Sequence, residues 1–114
     1  MRTKNAKVTA RILRWRKFLG ESGCAITGDQ PEIHHMFGAA KKAKIGLFSQ
    51  PIGEIACIPL SYFWHRDYSN PNNVDLYPKR FEAATGRSQK EIFHELAVQF
   101  GEFEVDEIEA VMRY

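Results

Sequence analysis

Residues 31–42 read PEIHHMFGAAKK, two adjacent histidines followed by a turn-forming Phe37-Gly38 and a pair of lysines. Successive strand residues point to opposite faces, so His34 and His35 can serve one point only where the strand ends. Gly38 supplies such an ending. Upstream, Gly28-Asp29 has turn chemistry, and the flanking CAIT and EIHHM segments predict the two strands of a short hairpin. Downstream, residues 37–53 contain Gly38, Gly46, Pro51 and Gly53 together with Ser49 and Gln50, a pattern that predicts a long loop. Loops of that length in a small domain commonly carry function.

Working outward, EIACIPL (residues 54–60) is a β-prone run. Pro59 fits the first turn of a helix through SYFWHRDYS, where its missing N–H costs little. NPNNVDLYP (residues 70–78) predicts a turn-rich connection, with Asn70 as a turn residue. Residues 7–20 predict a helix, because Val8, Ile12, Trp15 and Leu19 recur at helical spacing on one face while Lys7, Arg11, Arg14 and Lys17 fall outside it. Gly20 and Gly23 would end it. Ser88 and Glu91 have the spacing of a capping box, followed by an apolar face of Ile92, Phe93, Leu96 and Phe100. VDEIEAVMRY predicts a final short helix. The fold class expected is therefore α+β: a small β-hairpin plus helix embedded between N-terminal and C-terminal helices. One domain spans residues 1–114, divided into a basic helix (1–22), a central core (23–70) and C-terminal helices with an acidic tail (71–114).

A chain of 114 residues supports one modest core. Its 44% hydrophobic and 26% charged content is that of a globular protein, and no apolar run approaches the ~18 residues of a membrane span. The opening residues hold no apolar signal-peptide core. With Cys24 and Cys57 alone, a disulfide framework is not expected, and a reduced cytoplasmic setting is. The net charge of +2 conceals an asymmetry. Residues 1–18 hold seven basic residues and no acid, whereas residues 102–114 hold five acids against Arg113 alone. This predicts that the basic end meets an anionic polymer.

Of the four histidines, His94 lies off the apolar face of its helix and reads as a surface residue. The other three occur in the order strand, His34-His35, glycine-containing loop, strand, helix with His65. In EIHHMFG and IPLSYFWHRD, that order resembles the HNH, or His-Me finger, endonucleases with their ββα-metal motif. It is similar in particular to phage and prophage RecA-dependent recombination-enhancement nucleases and DUF968-type nucleases. Those proteins share an HH…G…K…IPLC…H order and a following F…GxQ helix, echoed by RFEAATGRSQKEIF. The likeness covers about residues 23–100.

The resemblance implies a DNA endonuclease or nickase acting in phage recombination or DNA processing. It implies one divalent metal, Mg²⁺ or Mn²⁺ in the cell and Zn²⁺ or Ni²⁺ in a crystal, held by His34 and His65. His35 would be the general base, with a swap of roles within the doublet left open. Many relatives also carry a structural zinc on two CxxC knuckles. The corresponding positions here are Cys24, Thr27, Ser61 and Trp64, and one thiolate cannot close a tetrahedral site. No structural zinc is expected; Trp64, Phe63 and Cys24 would pack in its place, and Cys57 would be a buried small hydrophobe. The family's middle Asn or His has no match near Glu54–Cys57. Lys41, Lys42, Lys44, Arg66, Arg11 and Arg14 are the expected phosphate contacts, without base reading. DNA is the expected partner, with a host recombination protein as a further one. Two other readings stand beside the enzyme: a non-catalytic nucleic-acid-binding module, and a phage factor docking on a host recombination or defence protein through its acidic tail.

Overall fold

The computed structural model describes residues 2–38, 44–45 and 50–114, with side chains from residue 10 onward except those of Ile45 and Gln50. Lys41 and Lys42 lie outside the described residues. The α+β class holds: a two-strand antiparallel ribbon is flanked by helices. The order is α1 (Arg2–Ser22), β1 (Glu32–His35), β2 (Lys44–Ile45), β3 (Gln50–Pro51), α2 (Ile52–Ile55), β4 (Cys57–Leu60), α3 (Tyr62–Arg66), α4 (Pro78–Thr85), α5 (Gln89–Phe100) and α6 (Val105–Arg113). Among the described residues, no helix is long and apolar enough to cross a membrane.

The partner of β1 differs from expectation. CAIT is not a strand; β1 pairs with β4 in the register Glu32↔Leu60, Ile33↔Pro59, His34↔Ile58 and His35↔Cys57. CAIT instead forms a closed turn, in which Gly28 N–H donates to the Cys24 carbonyl (2.8 Å) and Cys24 N–H to that of Asp29 (2.8 Å). Gly23 and Gly28 both take φ of +79°, which curls the chain away from an extended path. Gly23 is irreplaceable for a second reason: a Cβ there would stand 2.8 Å from the Gly28 carbonyl oxygen. Gly23→Ala is expected to destabilise the protein by about 1–3 kcal/mol, read as a lower urea midpoint at unchanged slope.

Pro59 is likewise inside β4 and not in a helix. Every strand of a two-stranded ribbon is an edge, so a residue without N–H is tolerated there. Its carbonyl still accepts from Ala25 N–H (2.9 Å), which ties the turn to the ribbon. The helix begins two residues later with Ser61 as its extended N-cap and stops at Asp67. The expected loop 37–53 is partly structured, since it contains β2, β3 and the single turn α2.

The core forms where α1, the ribbon and α5 meet. Ile12, Trp15 and Leu19, the stripe expected from spacing, are buried. The Trp15 ring meets Phe93, Phe100 and Phe103 at 5.0–6.1 Å between centroids, and its indole N–H donates to the Ile55 carbonyl (2.9 Å). The capping box at Ser88 and Glu91 is formed, and α5 ends at the left-handed Gly101.

Charge gives the largest correction. The basic helix and the acidic tail do not lie apart; they pair with each other. Arg11 is 5% exposed and forks onto the fully buried Glu107 carboxylate (3.0 and 2.5 Å), while also donating to the Glu102 carbonyl (3.0 Å). Arg14 binds both carboxylate oxygens of Glu102. Arg11 is thus a buried structural cation and cannot track a phosphate backbone. Arg14, although exposed, is neutralised by its carboxylate.

Candidate metal centre on the two-strand ribbon

Strand alternation sorts β1 into two faces. Glu32 and His34 share one face, and Ile33 and His35 the other. The helix α3 closes over the first face and brings His65 to His34, with ring centroids 4.9 Å apart and planes inclined by 62°. His65 owes its position to Ser61, whose carbonyl accepts the His65 N–H (2.9 Å) in the only full turn of α3.

Each imidazole has a defined partner. His65 Nδ1 lies 2.8 Å from Glu32 Oε1, and Arg66 places Nε and Nη2 on the two oxygens of the same carboxylate (2.9 Å each). The hydrogen bonds of Arg66, reinforced by His65, hold the Glu32 carboxyl below its ordinary range against the opposing effect of burial. An ionised Glu32 accepts only, so Nδ1 of His65 donates to it, which orients the ring. This is the carboxylate–histidine arrangement that orients metal-binding imidazoles.

His34 is 7% exposed, and its Nε2 lies 2.8 Å from Gln89 Oε1. Burial pushes its pKa down to about 4, opposed by the Gln89 hydrogen bond and assisted by the nearby His65. The ring is therefore neutral at pH 7 and available as a ligand. A pH prediction follows with a defined sign. The unfolded chain takes up this proton near pH 6.5 and the folded chain only near 4. Stability from this group is complete above 6.5, declines as pH falls and is lost below 4. The expected loss is roughly 3 kcal/mol. Urea titrations at pH 7 and pH 4 check it, and His34→Gln is expected to make that pH dependence shallower.

The doublet does not converge. His35 occupies the face away from His34, half-buried, with the Arg16–Glu54 ion pair as its charged surroundings. Burial lowers its pKa; Glu54 opposes this, while Arg16 and His65 add to it. His35 is thus neutral at pH 7 and within electrostatic range of His65. It lies at the last pair of the ribbon, beside the turn in which Gly38 N–H donates to its carbonyl (3.2 Å).

Of the remaining expected contacts, Lys44 is exposed on β2, and Arg66 is half-exposed, stacked over Tyr62 (5.2 Å) while held by Glu32. His94 is exposed. Asn70 is a buried turn residue that donates to the Phe63 carbonyl (2.9 Å). Cys57 is buried, its thiol pushed up to about 12 by burial and by Glu54.

Cys24, Thr27 and Ser61 are neighbours in space. Burial alone would raise the Cys24 thiol, but hydrogen bonds from the Thr27 side chain and the Ser61, Thr27 and Ile26 backbone outweigh it and lower the pKa. Trp64 packs edge-on against Phe63 and the core residue Phe81.

Two groups of residues were not anticipated from sequence. Glu32 holds Nδ1 of His65, and Gln89 meets Nε2 of His34. Glu32 was accessible in principle, two positions before His34 on the same strand face, but Gln89 comes from 55 residues away. The second group is the exposed rings of Tyr62, Tyr68 and Tyr77, with Arg80 over Tyr77 (4.8 Å); Phe63, expected to pack in place of the zinc knuckle, is instead 49% exposed. Among the described residues, no group of three or more His, Cys, Asp and Glu side chains gathers as metal ligands. No family model, curated protein or solved structure is found to match this chain.

Proposed function

We propose that the protein is a metal-dependent DNA endonuclease or nickase of the HNH, His-Me finger type, working in phage or prophage DNA processing in the cytoplasm. The observation that carries this reading is the β1–β4–α3 unit, which opposes His34 and His65 at 4.9 Å with His65 oriented by Glu32. The donor set fits a divalent ion: two imidazoles, one with a carboxylate behind it. His34 and His65 would hold Mg²⁺ or Mn²⁺, which would supply positive charge for phosphodiester cleavage.

The chain's own residues do the rest. His35, neutral at pH 7, takes the proton of the attacking water as the phosphorus–oxygen bond to the 3′ oxygen breaks. Glu32 keeps the His65 ring in one orientation. Lys44 and the outer edge of Arg66 contact the DNA backbone, and the exposed rings of Tyr62, Phe63 and Tyr77 are available to unstacked bases. Arg11 and Arg14 have no part in this contact. Supercoiled plasmid incubated with protein and Mn²⁺ or Mg²⁺ is expected to relax to nicked circles, and EDTA to prevent it. No nicking with either ion rejects the proposal.

One observation favours a second reading, a non-catalytic nucleic-acid-binding module: the doublet is divided between the two faces of the ribbon. Salt-sensitive DNA binding without cleavage in the same assay would select it. The third reading, docking on a host protein through the acidic tail, has weaker support, since Glu102 and Glu107 are engaged by α1.

A further inference from the structure

We infer that Gln89 is the third protein ligand of this centre, its side-chain carboxamide oxygen joining the imidazoles of His34 and His65; the inference rests on the metal-centre reading above. The first argument is distance. Gln89 Oε1 stands 2.8 Å from His34 Nε2. Two donors at right angles on one ion, each at about 2.1 Å from it, are about 3 Å apart. The contact seen between amide and imidazole is thus close to the spacing of adjacent ligands; on binding, the His34 proton would move to Nδ1 and both groups would turn their lone pairs from each other toward the ion.

The second argument is access. His34 is almost fully buried, its ring lies 4.9 Å from that of His65 between centroids, and its Nε2 is already in contact with the amide. An ion reaching that nitrogen arrives beside the Gln89 oxygen. Once the His34 hydrogen bond is replaced by coordination, the amide oxygen is placed to bind the ion as well.

The third argument is rigidity. Gln89 is the first residue of α5, directly after the Ser88 cap. Ser88 Oγ accepts from Glu91 N–H (3.1 Å) and Glu91 Oε1 accepts from Ser88 N–H (3.1 Å), which fixes the backbone on which the amide is carried. The side chain is therefore presented from a helix packed into the core, as a preorganised ligand should be.

The chemistry of the donor set supplies the fourth. Among the described residues no third His, Cys, Asp or Glu joins the pair, so a further protein donor has to be of another kind. An amide oxygen is a hard, neutral donor, and adding it to two imidazoles moves the preference toward Mg²⁺ and Mn²⁺ relative to softer ions.

Mn²⁺ titration of the full chain by calorimetry, with free ion followed by electron paramagnetic resonance, tests the inference. Wild type, Gln89→Ala, Gln89→Glu, His65→Ala and His34→Ala are compared after their melting curves show them folded. Gln89→Ala is expected to raise Kd about tenfold or more, and Gln89→Glu to restore or exceed wild-type affinity. An unchanged Kd in Gln89→Ala overturns the inference, and so does a lower one, which would make the amide a competitor of the ion. Binding lost in both histidine variants but retained in Gln89→Ala defeats the third ligand and leaves the centre standing. No Mn²⁺ binding by wild type defeats both. Gln89-dependent binding without plasmid nicking upholds this ligand and defeats the nuclease.

Discussion

His35→Ala is expected to reduce plasmid nicking by roughly 10²- to 10⁴-fold while Mn²⁺ affinity stays within about twofold of wild type, because a general base acts on the water and not on the ion. The separation of effects is what the ribbon geometry predicts. His34 and His65 lie on the α3 side of β1, and His35 lies on the other side near Arg16 and Glu54. A variant at His34 should therefore lose the ion and activity together, whereas one at His35 should lose activity alone. Single-turnover nicking and calorimetry on the same preparations give both readings. Equal nicking by His35→Ala would remove this residue from the reaction. Loss of Mn²⁺ binding in His35→Ala with retention in His34→Ala would exchange the roles of the doublet.

Glu107→Ala is expected to lower stability by about 3–5 kcal/mol, among the largest effects of any single substitution outside the aromatic core. Its carboxylate is completely buried and serves two elements at once. It neutralises Arg11 through two hydrogen bonds, and its Oε1 accepts the Glu104 N–H at the start of α6 (2.9 Å). Removing it leaves the guanidinium buried without its carboxylate and the α6 cap open. Arg11→Met combined with Glu107→Leu is expected to recover most of the loss, since a buried ion pair contributes little beyond an apolar pair of similar volume. Chemical denaturation of the single and double variants measures the coupling. A single-variant loss below about 1 kcal/mol would mean that the pair is solvated in practice.

What the sequence disclosed and what it withheld divide along a physical line. The buried stripe of α1 and the Ser88–Glu91 cap were legible because both depend on spacings of three or four residues. The order β1, β4, α3 with its histidines was legible for the same reason: each element announces itself locally. The partner of β1 was not. CAIT is as β-prone as CIPL, and the two left-handed glycines around it decided the matter against pairing. Pro59 misled because a helical first turn and an edge strand both tolerate a missing N–H. The charges of α1 and the tail were each visible. Their union depends on a contact between residues 96 positions apart, which no local rule reports. Gln89 belongs to the same class, a polar residue whose role exists only once α5 has docked beside the ribbon.

The closed turn at Gly23–Asp29 has a consequence for how this segment folds. Its sulfur is satisfied by the Ile26 N–H (3.4 Å) and by neighbouring Thr27 and Ser61, and its backbone closes on itself through Cys24, Gly28 and Asp29. A turn tied by its own peptide groups needs no ion to reach its shape. Refolding of this segment is thus expected to proceed at the same rate with and without a chelator.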